Sequence, residues 1–221
     1  MKMERVVVPH ARRPHQKRAV SDVVAGFRVY DRGQLIMACG TGKTVVSLWV
    51  KEDLNAQVTL VLVPSIALVD QFAKEWARNR SAQVPYAALC VCSDHTIGQP
   101  GEDDYDGMRF TTEDLRHDGF DVTSSAERIA GFLRTPGQKV LFSTYQSSHL
   151  VAEAQLMDGV PEFDLAIADE AHRCAGEQGK PFATILDGEA CGLCHQLINV
   201  CIGGRGQESL RVNFIENLLP S

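Results

Sequence analysis

Five consecutive residues, Gly40-Thr41-Gly42-Lys43-Thr44, combine two glycines, a lysine and a hydroxyl in the arrangement that phosphate oxygens need. Glycines let the backbone wrap closely so that several N–H groups point inward, and a helix starting just behind them adds a favourable dipole. In such a loop the lysine reaches the β- and γ-phosphates and the hydroxyl after it ligates magnesium, roles that fall here to Lys43 and Thr44. The strict pattern has a glycine where Met37 stands. A second component is required, because magnesium bridging phosphates takes a carboxylate and hydrolysis takes a group that orients water. Asp169-Glu170, directly after the apolar run 163–168, supplies both, and His172 and Arg173 follow.

These residues need a scaffold that brings them to one edge. Gln34 to Ala38 reads as a strand entering the glycine loop, and Val45 to Trp49 as the helix leaving it. Val58 to Val63 is a continuous β-branched run typical of a strand covered on both faces, with a helical pattern over Ile66 to Trp76 behind it. Tyr86 to Cys92, Val140 to Thr144 and Phe163 to Ala168 read as further strands. Pro14 with Val20, Val23, Val24 and Phe27 predicts a helix over about 14 to 27, and Ser124 with Glu127 predicts a capping box opening a helix over 125 to 133. Alternating strands and helices imply a mostly parallel sheet with helices on both faces and ligands at the C-terminal strand ends. The glycine-rich, acidic stretch of about 93–122 reads as an insertion, and its Glu102, Asp103, Asp104 and Asp106 as a solvated loop.

With 221 residues the chain is long enough for one principal core. A net charge of −6 argues against binding nucleic acid through overall basicity, yet the first 18 residues carry Lys2, Arg5, Arg12, Arg13, Lys17 and Arg18 against Glu4 alone. Any polyanion contact is therefore local. No apolar run is long enough to span a bilayer and no cleavable leader is evident, so a cytoplasmic location without membrane association is expected. The seven cysteines are then reduced thiols.

Taken together, Met37-Ala38-Cys39-Gly40-Thr41-Gly42-Lys43-Thr44 and Asp169-Glu170-Ala171-His172 resemble motifs I and II, the phosphate loop and DEAH box, of superfamily 2 helicases and translocases. The likeness is to the first RecA-like domain of the branch related to type III restriction enzyme motor subunits, and it runs from about Arg12 to Leu186. It implies a RecA-like fold that binds ATP and Mg2+. Arg13-Pro14-His15-Gln16 resembles the segment that reads adenine, which would make Gln16 a base contact. Val63-Pro64-Ser65 with Gln71, and Ser143-Thr144-Tyr145-Gln146, resemble motifs Ia and Ib, so Pro64, Ser65, Thr144, Tyr145 and Gln146 are implied to line a DNA strand, duplex or single. Read from spacing alone, Ser65 and Thr144 are more simply helix caps or turn residues.

Beyond about 187 the resemblance breaks: no Ser/Thr-Ala-Thr tripeptide follows His172, and no second RecA-like domain follows. We expect domain boundaries of 1–187 for the ATP-binding domain and 188–221 for an irregular, poorly packed tail, as left by a truncation or frame change near Gly188. In that tail Cys191, Cys194, His195 and Cys201 offer zinc-type ligands in no established spacing, and the Cys-x-x-Cys-His order fits covalent haem only in an exported protein. The expected activity is slow ATP hydrolysis coupled to DNA, completed by a second RecA-like domain in trans. The alternative is a non-catalytic remnant that holds ATP, nucleic acid or a partner without significant turnover.

Overall fold

The computed structural model describes residues 11–38, 40–93, 104–105, 108–169, 194–202 and 210–215. Their strands and helices run α1 (Pro14–Gly26), β1 (Arg32–Met37), α2 (Lys43–Asp53), β2 (Val58–Val63), α3 (Ile66–Asn79), β3 (Ala87–Val91), β4 (Asp104–Tyr105), β5 (Met108–Arg109), α4 (Thr112–His117), β6 (Val122–Thr123), α5 (Ala126–Leu133), β7 (Lys139–Thr144), α6 (Ser148–Gln155), β8 (Phe163–Asp169), β9 (Cys194–Ile202) and β10 (Leu210–Ile215).

Eight strands form one sheet in the order β10-β1-β9-β8-β2-β7-β3-β6, and β4 pairs with β5 in a small separate hairpin. From β1 to β6 every neighbouring pair is parallel, while β10 lies antiparallel on the outer side of β1. Parallel pairing forces crossovers, and these cover both faces. Strand β2 shows the outcome: all six residues are buried, with Val61 and Val63 in the core under α1, α2 and α3, and Leu60 and Leu62 in the core under α5 and α6. This is the doubly covered, mostly parallel α/β architecture that the alternating pattern predicts.

Two expectations need correction. The helix at 126 is capped by Ser125, whose oxygen accepts from the Arg128 N–H at 3.2 Å while its hydroxyl donates to Glu127 at 2.6 Å. Ser124 is one position too early, because only Ser125 directly precedes the first helical residue. The C-terminal segment is not irregular throughout either. Residues 194–202 insert between β1 and β8, and 210–215 add the antiparallel edge. Leu197-Ile198-Asn199-Val200-Cys201-Ile202 is itself an apolar, β-branched run suited to a central strand. Because Cys194 and Cys201 lie on this one extended strand, they are roughly 23 Å apart at 3.3 Å per residue. One zinc ion cannot take both. Within the expected insertion, α4 and β6 are ordered elements, and β6 pairs with β3.

Candidate functional site

The glycine loop leaves the C-terminal end of β1 and enters α2. Gly40 and Gly42 adopt φ of 75° and 86°, the left-handed region where glycine carries no Cβ penalty. Gly42 is the N-cap of α2, and Lys43 and Thr44 form its first turn. The first N–H groups of a helix have no partner within it, so this turn presents donors and a positive dipole end toward the space above β1. Four bonds from side chains help hold it in place. The Thr41 hydroxyl donates to the Ala38 carbonyl at 2.6 Å, and the Gln16 amide donates to the Thr41 carbonyl at 2.9 Å. The Thr44 carbonyl accepts from the Ser47 hydroxyl at 2.7 Å and from the Trp76 indole N–H at 2.8 Å.

Gln16 therefore spans two elements. Its side-chain oxygen accepts from the Arg13 N–H at 2.9 Å, capping α1, while its nitrogen grips the loop. A Cβ on residue 42 would lie 2.7 Å from that nitrogen. Here the base-reading residue implied by the resemblance has both ends of its amide engaged with protein. Arg12, one turn earlier, makes a two-point bond to Asp53 at 2.8 and 2.7 Å and lies 5.2 Å over the Trp49 ring, fastening α1 to α2. The hydrogen bond to Asp53 raises the Arg12 pKa further.

Asp169 is the last residue of β8 and is 6% exposed. β8 is two strands from β1, with β9 between them, so the carboxylate and the glycine loop occupy the same sheet edge about 10 Å apart laterally. Along β2, Leu62 pairs with Ala168 on one side and Val63 with Thr144 on the other. Asp169, Pro64 and Tyr145 thus leave the sheet within a residue of one level. Parallel pairing, not sequence proximity, gathers the glycine loop, Asp169 and the ends of β2 and β7 at this edge. Glu170 and His172 lie outside the described residues, as do Arg173 and Cys191.

The residues implied to line nucleic acid are mostly turned inward. Ser65 is 6% exposed and caps α3, its oxygen accepting the Leu68 N–H at 3.4 Å. Thr144 is 2% exposed and Tyr145 3%, with the Tyr145 hydroxyl donating to the Asp169 carbonyl at 2.8 Å. Pro64 and Gln146 are half-buried, and they with the backbone form the surface of that edge. Two contacts escaped the sequence reading: Trp76 to Thr44, and Tyr145 to Asp169. A buried indole or phenol needs a polar partner, which is a signal that a bond exists but not to which carbonyl.

The donors present suit magnesium. A threonine hydroxyl and an aspartate carboxylate are hard oxygen ligands of the kind this ion takes, beside a glycine cradle open at Gly40, where a Cβ would meet nothing within 4 Å. Among the described residues no group of three or more His, Cys, Asp or Glu is placed to hold a metal ion.

A glycine loop between strand and helix, with a buried aspartate at the end of a parallel strand two places away in the sheet, defines a RecA-like domain of the phosphate-loop class. The chain belongs to the family described as "Type III restriction enzyme, res subunit", whose family model matches residues 10–191. It is accordingly a superfamily 2 helicase-type motor domain. It is 31% identical over 176 residues to a probable helicase A859L of African swine fever virus, covering 79% of this chain and 18% of that one. The structure resembles the Type ISP restriction-modification enzyme LlaGI, solved with a DNA substrate mimic, at a TM-score of 0.65 and 32% identity over 86% of this chain and 17% of that one. The ATP-dependent Type ISP enzyme LlaBIII, solved bound to DNA, gives 0.64 and 30% over 87% and 13%. The chain thus spans less than a fifth of the length of these relatives. No helix among the described residues is long and apolar enough to cross a membrane.

Proposed function

We propose that this domain binds Mg-ATP at the β1–α2 loop and couples its hydrolysis to contact with DNA. The observation that carries the reading is the shared sheet edge, where Gly42 caps α2 and buried Asp169 ends β8. Lys43 offsets phosphate charge. Thr44 and Asp169 hold the magnesium ion, which supplies charge neutralisation across the phosphates. Glu170 positions the attacking water, and His172 lies beside the nucleotide. Gln16 holds the loop in register from α1. The backbone around Pro64-Ser65 and Thr144-Gln146 meets DNA phosphates, consistent with the DNA-bound state of the two restriction enzymes that the fold resembles. We take the domain to act in the cytoplasm with reduced thiols, the buried Cys90 and Cys92 forming no disulfide.

Turnover by these 221 residues alone is expected to be slow. An arginine reaching across from a second domain is worth roughly 10³ to 10⁵ in rate in other phosphate-loop enzymes, and here a second RecA-like domain would supply it. The test is ATP hydrolysis by the purified chain with and without single- and double-stranded DNA, beside Lys43→Ala and Glu170→Gln. DNA-stimulated turnover lost in both variants supports the reading. Mg-ATP binding unchanged in Lys43→Ala would overturn it, and binding without any turnover would favour a non-catalytic remnant.

A further inference from the structure

Tyr145 does not use its hydroxyl at the surface. Its side chain belongs to the same buried cluster as Leu62 and Ala168, in the core under α5 and α6, and its hydroxyl passes the end of β2 to reach the Asp169 carbonyl at 2.8 Å. That reach joins β7 to β8, which are two strand spacings apart, about 10 Å. The accepting oxygen belongs to the planar peptide unit that leads out of Asp169, so holding it fixes the rotation of that unit. Thr144 and Gln146, the flanking residues, form the turn at the end of β7 that borders the same edge. A displacement of this turn cannot leave the Asp169 peptide where it was without breaking a buried hydrogen bond, which costs free energy.

We propose that Tyr145 is a positioning residue that transmits DNA contact at the 144–146 turn to the magnesium-ligating Asp169. This rests on the functional reading above, and it adds to that reading a specific mechanical link between the two ligands. Both ends of the link are defined: one is a turn at the surface of the edge, the other the main chain of the buried carboxylate. The side chain itself touches neither ligand. Removing only its hydroxyl should therefore uncouple the two sites.

The experiment measures the affinity of a fluorescent, non-hydrolysable ATP analogue with Mg2+, in the absence and presence of saturating single-stranded oligothymidylate or duplex DNA. The ratio of the two affinities is the coupling, and a thermal unfolding transition establishes that each protein is folded. Coupling between sites is commonly about 5- to 150-fold, so the wild-type chain should show a ratio of at least about fivefold, and Tyr145→Phe a ratio near one. A merely structural hydroxyl would lower the melting temperature and leave the ratio alone. A second measurement needs no variant: DNA should slow hydrogen exchange in the peptide containing 163–169 of the wild-type chain. Retention of the wild-type ratio in folded Tyr145→Phe overturns the proposal, as does a wild-type chain that binds both ligands without coupling or without that protection. Failure of the wild-type chain to bind Mg-nucleotide at all would instead overturn the functional reading, and this proposal with it.

Discussion

The Gln16 side-chain nitrogen stands 2.7 Å from where a Cβ on residue 42 would be, and it donates to the Thr41 carbonyl beside it. The absence of a side chain at Gly42 is thus what lets α1 reach the phosphate loop. Gly42→Ala should suffer twice, from the left-handed φ of 86° and from displacement of the Gln16 amide. The first effect costs about 1–2 kcal/mol. Denaturant unfolding of Gly42→Ala, Gln16→Ala and the double variant checks this. A cost for Gly42→Ala that is smaller in the Gln16→Ala background confirms the contact, whereas strict additivity would exclude it.

Trp76 is fully buried, stands edge-on to Tyr86 and Phe142 at 6.2 and 5.5 Å, and donates to Thr44. Replacement by phenylalanine keeps an aromatic ring but removes the N–H and some volume. We expect a loss of about 1–3 kcal/mol in stability. Magnesium-dependent nucleotide affinity should weaken as well, since the first turn of α2 is then held by Ser47 alone among the two side chains that bond the Thr44 carbonyl. Nucleotide titration with and without EDTA tests it, and undiminished magnesium dependence would show that Ser47 suffices.

Lys51 has no exposed surface, bonds the Gln138 side-chain oxygen and lies 5.3 Å over the Tyr86 ring. Burial lowers its pKa from 10.5 to about 8. Between those values the unfolded chain binds the extra proton, so stability from this group rises with pH from about 8 and levels off above about 10.5. Relative to Lys51→Met, the wild type should gain up to roughly 3 kcal/mol between neutral pH and that upper limit. A stability difference independent of pH, measured by urea unfolding across this window, would contradict the assignment.

Ser65 caps α3 through a long bond of 3.4 Å. Ser65→Ala should therefore cost only about 0.5 kcal/mol, the low end for a cap. If Ser65 also donates its hydroxyl to DNA phosphate, DNA affinity falls in this variant at matched salt. A binding curve superimposable on that of the wild type would leave Ser65 as a cap alone.

The sequence by itself determined the elements and the chemistry that each carries. The glycine loop, the Asp169-Glu170 pair, the strand at Val58–Val63 and the helices behind the first two strands follow from residue type and periodicity, because these depend on neighbours within a few positions. Tertiary structure decided which strands adjoin. It set β9 between β1 and β8, where a broken family pattern had suggested an irregular tail, because pairing partners are chosen by the whole sheet and not by the strand. It alone also chose the carbonyls that Gln16, Trp76 and Tyr145 hold, 25, 32 and 24 residues away along the chain. A side chain's need for a partner is written in its chemistry, but the identity of that partner exists only once the chain has folded back on itself.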